Sequence, residues 1–317
     1  MSALSIETTD VRHNAMSLPP FWCKLYGITC GPNPGPNNQS VEYIVFGSEL
    51  RGSLPSEIGL FKNLKSLFAH KLVLSGTIPT TIGHLTSLES LSLRDNRLTG
   101  PIPETIGLLR SIRLLTLAGN TLTGPIPNII DQLISLDTLH LHENKLGGSI
   151  PATIGVLSNL VSLNLNSNLI LGPIPESIGD MEKLTNLDLS NNLLTGHIPS
   201  TVGGLQSLIS LRFNYNSLSG FIPSEISNLF VLDYIDLRSN YLTTGKSLSV
   251  LPSTFSERSL AGSIFLHDNC LAFKSPNIHD PPIHDAIASH CKRKKKNDAY
   301  VILGLNPKYI IVTRDYT

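Results

Sequence analysis

The sequence has no long apolar run and no excess charge of either sign. No stretch reaches the roughly 18 apolar residues that a membrane-spanning helix requires. The 24 basic residues balance the 24 acidic ones, so composition gives no reason to expect nucleic acid or an anionic membrane as a main partner. The one basic run, 292–296, is interpreted as a solvated tail, with a nuclear signal or a lipid contact as alternatives.

Motifs of catalysis are absent as well. The sequence contains no glycine-rich phosphate loop, no serine nucleophile motif and no set of protein-kinase motifs. These absences argue against phosphoryl transfer and serine-dependent hydrolysis. We therefore expect neither enzymatic activity nor a cofactor.

What the sequence does have is a 24-residue repeat along most of its length. A unit this short cannot bury its apolar face alone, so the copies must stack into a solenoid. Nine copies follow one another without insertions, and they begin at Asn37, Phe61, Leu85, Leu109, Leu133, Leu157, Met181, Leu205 and Leu229.

Most copies share one internal pattern, although Ser48 and Leu72 replace the turn asparagine in the first two and the ninth lacks the Gly and Ile-Pro residues. In the third copy, Leu91 and Leu93 alternate with polar residues, as in a strand with one buried face. Asn96 follows at the turn out of the strand, where its amide can bond to backbone groups. The asparagine recurs in later copies and predicts a polar column inside the apolar stack. Pro103 ends the extended segment, and the chain is expected to return over the convex side as a short helix or extended turn.

This pattern resembles the plant-type leucine-rich repeat, with the consensus LxxLxxLxLxxNxLxGxIPxxIGx, over about residues 37–252. The resemblance implies an α/β solenoid, a right-handed superhelix with a parallel β-sheet on its concave side. The chain is similar to receptor-like kinase and receptor-like protein ectodomains and to polygalacturonase-inhibiting proteins. We expect four parts: a tail and cap at 1–36, nine repeats at 37–252, an atypical repeat and cap at 253–291, and a basic, disordered tail at 292–317.

All four cysteines lie outside the regular repeats. Terminal coils expose an apolar edge that needs a cap, and the segment around the first two cysteines resembles the N-terminal cap of plant extracellular leucine-rich-repeat proteins. We therefore expect two disulfides, Cys23–Cys30 and Cys270–Cys291, in an oxidising compartment. Four free thiols in a cytosolic protein are the alternative.

The N-terminus does not supply a visible export signal. Its first 18 residues include Glu7, Asp10 and Arg12 and lack an apolar core, so they are not a signal peptide. We expect that the natural start lies upstream, with unconventional export or an intracellular location as alternatives. Asn38 lies in the sole sequon for N-glycosylation.

The outward-facing strand residues form the candidate ligand-binding surface. Solubility alone explains most single polar residues, but together they line one concave face. Arginine and tyrosine residues, the usual anchors of protein interfaces, are densest toward the C-terminal end, at Arg212, Tyr215, Tyr234 and Arg238. The candidate binding residues are His140, His142, Asn164, Asp188, Arg212, Tyr215, Tyr234, Asp236 and Arg238.

Two groups on this face have a chemical alternative. His140 and His142 project from one strand, but neighbouring copies supply no third metal ligand, so we expect no metal site. Asp188 and Asp236 are two strands apart, at about 9–10 Å, a separation suited to an inverting glycosidase. Arg212 between them is expected to pair with both and to keep both ionised, which opposes the general-acid role.

The sequence thus predicts a non-catalytic recognition module that binds a protein or peptide ligand through its concave face. Family resemblance implies an extracellular or cell-surface location, as a secreted protein or as part of a receptor, with a membrane receptor kinase as a further partner. The alternative is a cytoplasmic leucine-rich-repeat scaffold, which the missing signal peptide and the basic tail would favour.

Overall fold

The computed structural model describes residues 42–46, 51–243, 264–266 and 269, and these residues form a regular solenoid. Each turn contributes one strand to a concave sheet, a second short strand on the flank and a short helix on the convex side. The residues of the expected caps and sequon lie outside the described residues: Cys23, Cys30, Asn38, Cys270 and Cys291.

The concave side is a ten-stranded parallel sheet whose strands follow one another in chain order. The register is regular, since Leu163 pairs with Leu139 on one side and with Leu187 on the other, one repeat away in each direction. The predicted parallel concave sheet is confirmed. Its strands are Tyr43–Val45, Ser66–Phe68, Ser90–Ser92, Leu114–Thr116, Thr138–His140, Ser162–Asn164, Asn186–Asp188, Ser210–Arg212, Tyr234–Asp236 and Ile264–Phe265.

The convex return is a 3₁₀ helix in each regular turn of the described chain. Pro103 precedes one of them with extended backbone, φ −69° and ψ 141°, which suits the φ that the proline ring imposes. Gly155 lies against the backbone carbonyl of Ser177 in the next coil, where a Cβ atom would collide with it. The helices are Ser56–Leu60, Thr80–His84, Glu104–Leu108, Asn128–Gln132, Ile154–Val156, Glu176–Asp180, Ser200–Gly204 and Ser224–Asn228.

A second set of parallel strands lies just after the asparagine position of the repeat. The repeat pattern does not predict these strands, because the segments are short and glycine and proline are depleted in strands. Gly100 has a φ of +74°, yet it ends a strand that pairs with both neighbours. These flank sheets comprise Arg51–Ser53, Val73–Thr77, Arg97–Gly100, Thr121–Pro125 and Lys145–Gly147, then Leu171–Gly172, Leu193–Gly196, Ser217–Phe221 and Tyr241–Thr243.

A continuous apolar core fills the space between the sheets and the helices. Leu91 and Leu93, which were predicted to point inward, are both 0% exposed. The equivalent residues of the second to ninth copies are buried in the same way. In the first copy the interval to the next strand is one residue shorter, so Ile44 pairs with Leu67 and is buried, whereas Tyr43 and Val45 are exposed. Each coil thus covers the apolar face of the next, and burial of this apolar surface stabilises the stack.

The asparagine column is buried and hydrogen-bonded, as predicted. Asn96 donates from Nδ2 to the carbonyls of Ala69 (2.6 Å) and Leu93 (3.0 Å), and its Oδ1 accepts the N–H of Leu74 at 3.1 Å. Because Ala69 and Leu93 directly follow concave strands and Leu74 lies in a flank strand, the asparagine links the two kinds of sheet. The same bonds recur at Asn120, Asn144, Asn168, Asn192, Asn216, Asn240 and Asn269.

The residue before each asparagine from Asn96 to Asn240 has a left-handed backbone conformation. Tyr215 has a φ of +55°, which is uncommon for a residue with a large side chain. Its coil tolerates this because the N–H still bonds to the carbonyl of Arg238 in the next coil, at 3.0 Å. The turn leaves the Tyr215 side chain 45% exposed at the margin of the concave face.

Candidate ligand-binding face

The concave sheet places the central candidates side by side on consecutive strands. Asn164 pairs in register with Asp188, Asp188 with Arg212, and Arg212 with Asp236. In-register residues of neighbouring strands lie about 4.8 Å apart. Four of the predicted site residues therefore form one polar row across the C-terminal half of the sheet.

Asp188 is held by three neighbours. Its Oδ1 accepts the N–H of Ser190 at 3.0 Å and the hydroxyl of Ser190 at 2.6 Å. Its Oδ2 accepts Nδ2 of Asn166 at 3.2 Å and lies 3.8 Å from Nη1 of Arg212. The side chain of Asp188 is only 15% exposed and that of Arg212 is 47% exposed, so the guanidinium is the accessible half of this pair.

The second carboxylate has a different partner from the one expected. Arg212 was predicted to pair with both Asp188 and Asp236. Asp236 instead forms an ion pair with Arg238, two residues later in the chain, and its Oδ2 lies 3.1 Å from Nε of Arg238. Asp236 Oδ1 also accepts the N–H of Arg238 at 3.2 Å. Residues two apart on a strand face the same way, so the side chain of Arg238 lies beside that of Asp236. Asp236 itself is only 1% exposed.

Both arginines stack on tyrosine rings of the adjacent coil. The Arg212 guanidinium lies 4.6 Å from the centroid of Tyr234, and that of Arg238 lies 5.5 Å from the centroid of Tyr215. Such contacts combine cation–π attraction with a fixed orientation of the guanidinium plane. Burial, followed by the charge of Asp236, raises the pKa of Tyr234, so its hydroxyl stays protonated as a hydrogen-bond donor.

The histidine pair lies at the middle of the face. The rings of His140 and His142 meet edge to face with centroids 5.7 Å apart, and Nε2 of His140 is 2.9 Å from the Ser162 hydroxyl. Burial, and next the charges of His142 and Arg94, lower the pKa of His140. Within the residues that the structure describes, no three His, Cys, Asp or Glu side chains come together as a metal site would require.

Three polar residues that were not predicted as part of the site lie beside it in the next outward column. Asn166 and Ser190 position Asp188, as described above. Asn214 is 6% exposed, and its Oδ1 has no hydrogen-bond partner among the described residues. All three stand two residues after a selected site residue, on the same face of the chain, and this spacing is the signal that could have identified them.

The repeats match known protein families. The Leucine rich repeat family matches residues 182–242, and a second leucine-rich-repeat description matches residues 87–109, 135–157 and 159–181. A comparison with curated proteins gave no match. In the described part of the chain, no helix has the length and apolar character needed to cross a membrane.

Solved structures similar to this chain include two plant receptor ectodomains. One is that of the Arabidopsis thaliana membrane receptor kinase GASSHO1/SCHENGEN3 in complex with CASPARIAN STRIP INTEGRITY FACTOR 2 (35% identity, TM-score 0.66), matched over 68% of this chain and 26% of that one. Another is the Arabidopsis receptor kinase HAESA in complex with the peptide hormone IDA and the co-receptor SERK1 (32% identity, TM-score 0.70), matched over 78% and 41%. The chain therefore spans less than half the length of these receptor chains.

A further similar structure is a plant ice-binding protein, with 28% identity and a TM-score of 0.63. Here the match covers 80% of this chain and 80% of that chain. The two proteins thus share most of their length, in contrast to the receptor ectodomains.

Proposed function

Since the chain is a leucine-rich-repeat protein with repeats of the plant type, we propose that its concave face binds a peptide or protein ligand without catalysis. The observation that carries the proposal is the cluster of Arg212, Tyr215, Tyr234, Asp236 and Arg238. It combines two arginines that each lie over a tyrosine ring with an exposed tyrosine, on one face of the sheet.

The cluster is suited to a polar ligand of mixed character. Each arginine has a carboxylate partner, Asp188 for Arg212 and Asp236 for Arg238, so the site carries no net charge. The guanidinium of Arg212 still has free edges at 47% exposure, and guanidinium donors match carbonyl and carboxylate groups well. A peptide backbone laid across the strands offers such groups at regular intervals.

The proposal also rests on the receptor ectodomains described above, two of which are in complex with a peptide hormone or an integrity factor. By the same analogy we place this chain at the cell surface or outside the cell, and we include a membrane receptor kinase among its partners. Asp188 and Asp236, each paired with an arginine, are arranged for ion pairing and not for proton donation to a glycosidic bond.

The test uses peptides selected from a random display library on the full-length protein. Their affinity is then measured by calorimetry for the wild type, for Arg212→Ala combined with Tyr234→Ala, and for the matched control Arg113→Ala. Arg113 is a surface arginine that also pairs with an aspartate, Asp137. We expect the double variant to lose about 30-fold or more in affinity, the effect of a 2 kcal/mol hot spot. Equal affinities for all three proteins would reject this face as the binding site.

The proposed location has its own test. Thiol labelling and a non-reducing mass measurement on protein from its native source should find two disulfides and no free thiol. Four labelled thiols would support the intracellular scaffold instead, because cytosolic proteins keep their cysteines reduced.

A second candidate function is ice binding. The observation in its favour is the shared length with the plant ice-binding protein, 80% of each chain, where the receptors match over 41% of their length or less. The measurement is inhibition of ice recrystallisation by the full-length protein. Ice grains that grow as fast as in a solution of an unrelated protein would exclude this function.

A further inference from the structure

The N-terminal flank sheet presents a surface on which hydroxyl groups predominate. On four adjacent strands, Arg51–Ser53, Val73–Thr77, Arg97–Gly100 and Thr121–Pro125, most outward positions hold serine or threonine. Six serine and threonine residues occupy such positions; five of them are exposed and Thr121 is half-buried. They are termed the hydroxyl patch: Ser53, Ser75, Thr77, Thr99, Thr121 and Thr123.

The patch is ordered in two directions. Thr77 pairs in register with Thr99, and Thr99 pairs with Thr121, which makes an unbroken row of threonines across three strands. Ser53 and Ser75 form a second row in the same way. Neighbours in a row are about 4.8 Å apart, and alternate residues along a strand are about 6.6 Å apart. The hydroxyls thus form a small two-dimensional lattice.

Hydrogen bonds to the preceding coil fix the orientation of several hydroxyls. Ser75 donates to the carbonyl of Gly52 at 3.3 Å and Thr99 to that of Gly76 at 3.2 Å. Thr121 donates to the carbonyl of Leu98 at 2.9 Å. Because the hydrogen of each group is used within the protein, oxygen lone pairs and threonine methyl groups are left for the solvent side.

The charge of this surface differs from that of the concave face. The outward residues of the four strands include no carboxylate, and their charged members are Arg51 and Arg97. Lys145, on the fifth strand of this sheet, pairs with Thr123 at the edge of the patch. Arg97 ends the serine row, beside Ser75, and the threonine row contains no charge. A rigid array of acceptors and methyl groups can hold water at fixed positions, whereas mobile charged side chains would impose their own hydration.

From this arrangement we propose that the hydroxyl patch is an ice-binding face, whose ligand is the ordered water of the crystal surface. The inference rests on the second candidate function above and assigns it to a site. The hydroxyls form a regular two-dimensional array, so many weak contacts to an ordered water layer form at once, and their joint effect exceeds that of any single contact.

The experiment compares two lysine substitutions in the full-length protein. Thr99→Lys places a long charged side chain in the centre of the threonine row. Thr195→Lys makes the same change four repeats later, at an equally exposed flank position next to Ser217, outside the patch. We expect Thr99→Lys to raise the concentration needed for half-maximal inhibition of ice recrystallisation at least 10-fold. Thr195→Lys should leave it unchanged, and both variants should keep the melting temperature of the wild type.

The possible outcomes separate the site from the function. If the wild type is active and both variants are equally active, or both lose activity equally, the hydroxyl patch is not the ice-binding face. If the wild type has no effect on ice, the second candidate function is wrong, and ice is not the ligand of the hydroxyl patch. Loss in Thr99→Lys alone supports both.

Discussion

The concave sheet and the flank sheets come from the same repeat but present opposite chemistry to the solvent. The concave face carries buried carboxylates, arginines stacked on tyrosines and a histidine pair. The N-terminal flank carries short hydroxyl side chains and no carboxylate. Since both sheets lie over the same leucine core, their outward residues can vary without changing the fold. A solenoid of this kind can therefore hold two unrelated surfaces.

The strongest test of the comparison concerns the asparagine that joins the two sheets. Asn168 donates to the carbonyls of Leu141 and Leu165 and accepts the N–H of Leu146 on the flank. Asn168→Ala leaves these buried groups without a partner, which should lower the free energy of unfolding by on the order of 1–3 kcal/mol. Thermal and urea unfolding measure the change. Asn63→Ala, at an exposed turn, is the control, and equal melting temperatures for the two variants would contradict the role of the column.

The next test grades three ion pairs by burial. Asp236→Ala removes a carboxylate that is 1% exposed, and we expect a cost of about 1–2 kcal/mol, since Arg238 regains some hydration. Asp188→Ala should cost less, because Asp188 is 15% exposed. Asp137→Ala, in a surface pair whose arginine is 64% exposed, should cost least. Urea denaturation of the three variants gives the order, and a reversed order would refute burial as the cause.

Acid should lower the free energy of unfolding because of His140 on the concave face. Its pKa is lowered, chiefly by burial, so the unfolded chain binds a proton near pH 6.5 while the folded chain does so only at lower pH. The stability contributed by neutral His140 is present above about pH 6.5 and is lost as pH falls from there toward the folded-state pKa. His140→Gln should reduce the acid-induced loss of unfolding free energy. His84→Gln, on an exposed convex position, should leave the loss as in the wild type.

The smallest effect is expected on the flank. Thr99→Val keeps the β-branched shape and removes a solvent-exposed hydroxyl. Because surface substitutions away from buried groups usually change stability little, the free energy of unfolding should stay within about 0.5 kcal/mol of the wild type. Urea unfolding of Thr99→Val and of Asn168→Ala, measured side by side, shows whether the flank hydroxyls contribute to stability. A large loss in Thr99→Val would give them a structural role.

Much of the fold was predictable because the same sequence pattern recurs in successive copies of the repeat. The inward leucines such as Leu91, the column that includes Asn96 and the parallel concave sheet follow from alternation and period. The flank strands were missed because the segment around Gly100 is short and contains turn residues. Such a segment becomes a strand only when an identical neighbour lies beside it.

Within the candidate site, the sequence by itself determined which residues share a face, since strand alternation and a constant interval of 24 residues set their positions. Only the tertiary structure decided the partners. Asp236 bonds to Arg238 and Arg212 lies over Tyr234, because burial, rotamer and the tilt of neighbouring coils choose among contacts of similar spacing. The tertiary structure also determined the lattice of the hydroxyl patch, because pairing between strands brings together residues such as Thr77 and Thr99, which are 22 apart in the chain.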